Sequence, residues 1–291
     1  MNILEYTDKY LKLPLYPAQR FILKLYYGLP LEDSLTVTTL YSPKEYKVTE
    51  RQYLQLLQSE ERTNAQEGIS YIGLLLKLGM RSGTTSLASI VQAYELAKLV
   101  ETPEDRPCSL VSLSSSSNEA ECQATSFSDV IKNDTYLMGF LRYTENKNLH
   151  FSHRGAPRGE DPSINVLFGK DAHVFRGQYC RFQTILDIDK RIDDAVKEAR
   201  YIQTCYPQGP CKFLISSLFG NSDLFNLWVE ESFQSNSTNL FINLPTWEVN
   251  PKVKEDILKL YLKGNSETYK LTRDFGNPLT FIKGQLDKLN D

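Results

Sequence analysis

From residue 69 onward, short apolar runs alternate with helical stretches, and this alternation constrains the fold more tightly than any other feature of the chain. The runs Tyr71–Lys77, Ser109–Leu113, Asn165–Phe168, Gln183–Asp187, Phe213–Ser216 and Leu240–Asn243 are of strand length. Between and after them, Thr85–Val100, Asn118–Ile131, Asp193–Tyr201, Asp223–Phe233 and Lys252–Lys263 carry apolar residues at helical spacing. In the first of these helices Leu87, Ile90, Val91, Tyr94 and Ala97 form one stripe. Strands that are apolar throughout are covered on both faces, and parallel pairing needs helical crossovers. The pattern therefore predicts an α/β fold with a mainly parallel central sheet flanked by helices.

The chain before residue 69 is less regular. Leu15–Leu29 places Phe21, Ile22, Leu25 and Tyr26 on one helix face, with Pro17 in the first turn, where its missing N–H costs nothing. Residues 32–68 are polar and predict an irregular lead-in, apart from a short helical pattern at Tyr53, Leu54, Leu56 and Leu57. The organisation expected is an N-terminal helical lead-in over 1–68 and a core with a C-terminal helical extension over 69–291. Residues 145–163 read as an exposed excursion, and Ser114–Ser117 as a turn into a helix capped by Asn118.

Composition excludes several function classes. With 33 basic and 36 acidic residues the net charge is -3, so there is no global electrostatic footprint for nucleic acid or an anionic membrane. Five cysteines without a CxxC pair suggest neither a disulfide framework nor a zinc site, and fit a reducing compartment. His150, His153 and His173 are too loosely spaced for a metal site, and Trp228 and Trp247 are expected in the core. No signal peptide or membrane-length apolar run is present, so no membrane partner is expected.

The strongest local signal is Gly79-Met80-Arg81-Ser82-Gly83-Thr84-Thr85, placed directly after a strand and before a helix. In that context backbone N–H groups and the helix N-terminus form a cradle for phosphate. A nucleotide-binding loop normally has lysine before its terminal Ser/Thr, and here that position is Thr84. Farther on, Gln183-Thr184-Ile185-Leu186-Asp187 is an apolar run ending in a carboxylate at the edge where α/β sheets bind ligands.

Taken together, these segments resemble the ATPase region of the large terminase subunit of tailed bacteriophages. Leu15-Tyr16-Pro17-Ala18-Gln19-Arg20-Phe21 resembles the adenine-contacting segment, which implies that role for Tyr16 and Gln19. Gly79, Arg81, Ser82, Gly83, Thr84 and Thr85 fall on the phosphate loop, and Asp187 ends the run matching the acidic strand. Ser216 and Ser217 match the coupling motif, and Pro245-Thr246-Trp247-Glu248-Val249-Asn250-Pro251 matches a segment near the end of that region. The resemblance implies a P-loop NTPase-like fold, ATP or ADP with Mg as cofactor, and Thr85 and Asp187 as the metal's ligands. It implies partners among phage packaging or virion proteins, an active terminase subunit included, and action in the host cytoplasm or the virion. Arg154 and Arg158 are candidate contacts for local DNA binding.

The departures from that pattern decide the expected chemistry. Thr84 replaces the loop lysine, Met80 the arginine usual at the second loop position, and Ile188 the glutamate that orients water. One well-placed electrostatic group is worth roughly 3 to 4 kcal/mol in such a reaction, a factor of ~100 to 1000 in rate. The expectation is an ATPase fold without turnover that acts as a binding or structural component. The alternatives are a working packaging motor with displaced catalytic groups and a virion scaffold without a packaging role. The resemblance ends where the family passes into its nuclease domain, so no nuclease activity is expected.

Overall fold

The computed structural model of the chain describes residues 1–38, 40, 45–102, 107–157, 163–171, 174, 178–190 and 211–263. In chain order its main elements are α1 (Ile3–Tyr6), α2 (Pro17–Tyr27), β1 (Ser34–Thr38), β2 (Glu45–Thr49), α3 (Glu50–Ser59), β3 (Gly73–Leu78) and α4 (Thr84–Glu101). There follow β4 (Cys108–Leu113), α5 (Ser117–Ile131), α6 (Thr135–Met138), β5 (Leu141–Glu145), β6 (Asn148–Phe151), β7 (Ile164–Gly169) and β8 (Cys180–Ile185). The last are β9 (Lys212–Ser217), α7 (Asp223–Ser232), β10 (Asn239–Leu244), α8 (Thr246–Val249) and α9 (Lys254–Lys263). Contacts group the chain into two units, one of Met1–Pro14 with Thr85–Ile215, the other of Leu15–Thr84 with Ser216–Asp291.

In the first unit the strand order is β9-β8-β4-β7-β6-β5. Its first four strands run parallel, and β6 and β5 continue antiparallel. All six residues of β4 are buried, as an apolar parallel strand requires. The N-terminal turn of this unit is fixed by one buried contact: Tyr6 Oη donates to Asp134 Oδ2 at 2.5 Å, and both residues are fully buried. Burial and the neighbouring carboxylate raise the Tyr6 pKa, which keeps the phenol a donor. Asp134 uses its other oxygen to cap α6, accepting from the amides of Tyr136 and Leu137.

In the second unit β3 and β10 pair in parallel from Gly73↔Asn239 to Leu78↔Leu244. The other side of β10 is occupied by a preceding segment: Thr63 Oγ1 donates to Phe241 O at 2.7 Å, and Asn64 Oδ1 accepts from Phe241 N at 2.7 Å. β1 and β2 form a separate antiparallel hairpin. Lys24, on α2, reaches Asp33 Oδ2 at 2.6 Å and Glu50 Oε2 at 2.8 Å, with Lys24 and Glu50 only 6% and 1% exposed. Burial lowers the Lys24 pKa, but the hydrogen bonds to Asp33 and Glu50 outweigh it and the net shift is upward.

Most expected elements lie within two residues of those observed, from α2 to α9. Four differ in substance. Residues 32–68 are not irregular, because β2 alternates exposed and buried residues and Thr49 caps α3 through Gln52 N. The excursion over 145–163 contains β6 and the turn of a hairpin, made by Asn146 and Lys147 with φ of 47° and 70°. The acidic strand stops at Ile185 rather than Asp187, whose φ of 51° does not fit a strand. Helix α5 is capped by Ser116, whose hydroxyl accepts from Glu119 N, and not by Asn118. The expected helix over 193–201 lies outside the described residues. Trp228 and Trp247 are buried, as expected of core residues. Among the described residues no helix is long and apolar enough to cross a membrane.

Removing one partner of the Lys24–Glu50 pair leaves a buried charge without a counter-ion. Lys24→Met should therefore cost about 3 to 5 kcal/mol in urea unfolding, and Lys24→Met with Glu50→Leu should recover most of that. A double variant no more stable than the single one would mean that the pair is not what the unit rests on.

Candidate phosphate-binding site

The loop after β3 turns out of the sheet with two residues in the left-handed region, Arg81 at φ 64° and Gly83 at φ 81°. Such a turn cannot pair its carbonyls in a sheet or a helix, so other donors must meet them. Three consecutive carbonyls are each met by a side chain. Thr246 Oγ1 donates to Met80 O at 2.7 Å, Asn250 Nδ2 to Arg81 O at 2.8 Å and Gln19 Nε2 to Ser82 O at 3.1 Å. Within the loop, Ser82 Oγ donates to Gly79 O.

These clamps bear on anion binding because a trans peptide holds its C=O and N–H antiparallel. Fixing Met80 O toward Thr246 turns the Arg81 N–H away from it, and fixing Ser82 O toward Gln19 turns the Gly83 N–H away likewise. Amides freed in this way, followed by the start of α4, are the elements of a phosphate cradle. Gly83 is favoured by its φ, and a methyl there would stand 2.9 Å from Gln19 Nε2, so the amide that holds Ser82 O would have to shift. The hydroxyl of Thr84 makes no hydrogen bond among the described residues, and it carries no charge with which to replace a lysine. The side chain of Arg81 is exposed and forms no ion pair among them.

Gln19 is placed at the loop but is engaged at both ends: Oε1 accepts from Tyr16 N at 3.1 Å while Nε2 holds Ser82 O. Tyr16 is half-buried, with the ammonium of Lys252 5.8 Å from its ring centre. Ser216 and Ser217 are buried at the end of β9, and Ser217 Oγ accepts from Gly220 N at 2.8 Å.

Thr85 and Asp187 belong to the first unit. Thr85 is exposed, its carbonyl accepting from Ser89 Oγ at 3.0 Å. Asp187 is half-buried two residues beyond β8 in a left-handed conformation, a kind of backbone strain that concentrates at functional sites. Hydroxyl and carboxylate oxygens are the donors magnesium prefers, so both residues fit that metal chemically. Ile188 is 2% exposed and begins a 3-10 turn that ends at Lys190. Arg154 is bound to Glu101 through Nη1 at 3.0 and 3.2 Å. Arg158 lies outside the described residues.

The braces Thr246 and Asn250 carried no assigned role in the sequence. They come from the segment 245–251, whose middle is anchored separately: Trp247 is 1% exposed, and Tyr53 Oη donates to Glu248 Oε2 at 2.5 Å. Arg62 lies 3.8 Å from Glu248 and 3.5 Å from Glu60, and its Nε donates to Asn243 O at 3.1 Å. Burial, and then the charge of Glu248, push the Tyr53 pKa up. Burial also raises that of Glu60, against the opposing pull of Arg62.

If the clamps hold the loop, Thr246→Val and Asn250→Ala should each cost about 1 kcal/mol and speed amide hydrogen exchange over residues 80–84. Unchanged exchange in the double variant would show that the loop keeps its shape without them.

No protein-family model matches the chain, and no curated protein matches it. Solved structures do. The large terminase ATPase domain of Thermus phage P74-26 aligns over 72% of this chain and 88% of its own, with a TM-score of 0.53 at 14% identity. The large terminase of bacteriophage HK97 aligns over 91% of this chain with a TM-score of 0.53 at 11% identity. This chain covers 55% of the length of the HK97 protein. At these identities the likeness concerns the fold alone, and this chain shares the fold of the large terminase ATPase domain.

Proposed function

We propose that the protein is a terminase-type ATPase fold that holds nucleotide without turning it over. It serves as a binding or structural component of viral DNA packaging or virion assembly, in the host cytoplasm or the virion. The observation that carries this reading is a loop whose backbone is held but whose cation is missing. It is braced at Met80, Arg81 and Ser82, whereas Thr84 offers no charge for the reacting phosphate.

The residues with roles in this reading are those of the loop, with Gln19 as its brace and Tyr16 beside it. Bound magnesium would supply charge neutralisation of the phosphates, and Thr85 and Asp187 are the residues proposed to hold it. Hydrolysis needs in addition a carboxylate to orient water, and the residue after Asp187 is buried and apolar. Asp189 lies one residue farther on, in the 3-10 turn.

A protein partner is favoured over DNA. The net charge is -3, and the guanidinium of Arg154, a candidate DNA contact, is matched by Glu101. The partner proposed is a packaging or virion protein, an active terminase subunit included.

The test is phosphate release from MgATP by the purified chain beside its Asp187→Ala variant. Equal, background-level release from the two supports the reading. Release that depends on Asp187 and reaches about 1 to 1000 per second, the ordinary range of enzymes, would overturn it in favour of a working motor.

A further inference from the structure

Thr84 leaves the loop without its usual cation, yet the second unit places a lysine close by. Lys77 is the fifth residue of β3, two positions before the loop begins, and it is half-buried in a strand whose other residues are fully buried. Among the described residues it forms no ion pair and no hydrogen bond. A half-buried lysine of this kind packs its aliphatic stem and leaves its ammonium at the end, available to a ligand.

A methyl placed on Gly220 would stand 2.7 Å from Lys77 Nζ and 3.1 Å from Cε. Gly220 lies three residues beyond the end of β9, in the turn that leads to α7. The side chain therefore spans roughly two residues of strand, about 6.6 Å, and brings its charge from inside the sheet to the level of the loops that follow the strands. That is the edge of an α/β sheet where ligands bind.

The turn around Gly220 leaves the ammonium uncommitted. The Gly220 amide donates to Ser217 Oγ at 2.8 Å and its carbonyl accepts from Asn226 Nδ2 at 3.0 Å. With φ at 69° and no Cβ, Gly220 gives the lysine room without taking its charge.

We propose that Lys77 supplies, from within β3, the phosphate-facing positive charge that Thr84 cannot, and that its ligand is the terminal phosphate of a nucleoside triphosphate. The assignment rests on the nucleotide-holding reading above. It makes Lys77 a binding and specificity residue that separates triphosphate from diphosphate, since the loop amides serve both.

The experiment is calorimetric titration of MgATP and MgADP into the full chain and into Lys77→Met, Lys77→Arg and Lys77→Met/Thr84→Lys. Circular dichroism confirms that each variant is folded. Lys77→Met should weaken MgATP by about tenfold or more, the worth of one charge-assisted contact, and MgADP by less than about threefold. Lys77→Arg should retain most of the ATP preference, and moving the charge to position 84 should restore it. Equal ATP affinity in the wild type and Lys77→Met, or equal losses for ATP and ADP that Thr84→Lys does not repair, overturns the role of Lys77 alone. A wild-type chain that binds neither nucleotide overturns the nucleotide reading and this assignment with it.

Discussion

The loop after β3 depends on where its carbonyls find donors once they leave sheet and helix. Met80, Arg81 and Ser82 present three such carbonyls in succession, and the chain answers them from both sides of its sequence. Gln19 comes from α2, near the start, and Thr246 and Asn250 from the segment that follows β10. The loop is thus specified by residues about sixty positions before it and about one hundred and seventy after it. Because orienting a carbonyl orients the amide behind it, the same contacts that satisfy the backbone also decide which way its donors face.

The anchoring of segment 245–251 extends this dependence inward. Thr246 and Asn250 can hold the loop only if their own backbone is fixed, and Glu248 and Trp247 between them provide that. A tyrosine, an arginine and two carboxylates are committed to a nearly dry spot for the purpose, and among the described residues Glu60 Oε1 and Arg62 Nη1 have no hydrogen-bond partner. Such a cluster is expensive to bury and gives little net stability. Its value is geometric, in fixing the register between α3 and the residues that brace the loop.

The fold was legible in the sequence where burial is two-sided. Strands such as Cys108–Leu113 are buried at every position and mainly apolar, with Ser109 and Ser112 between the apolar residues, so run length marks them. The elements missed are those with a wet face. β2 buries only Tyr46 and Val48, and β5 exposes Arg142 to Glu145 in succession, so hydrophobic counting passes over both. Asn146, a residue that tolerates positive φ, was the available signal for the second hairpin. For the site, glycine spacing and the strand-to-helix context marked the loop. Its braces could not be read, because a threonine hydroxyl or an asparagine amide becomes a clamp only through a contact between residues distant in sequence.

The hairpin of β5 and β6 has a consequence of its own. Among the described residues β5 is the last strand of its sheet, and one row of its backbone groups has no strand there to pair with. Open edges of this kind invite another chain to add a strand, and proteins discourage it with charge and twist. Here Arg142 and Glu145 are exposed along β5, the pairing shifts register between Leu141 and Tyr143, and the Tyr143 ring stacks on His150 at 4.4 Å. The edge is in this way kept from pairing indiscriminately through its backbone, and any selectivity there is left to side chains.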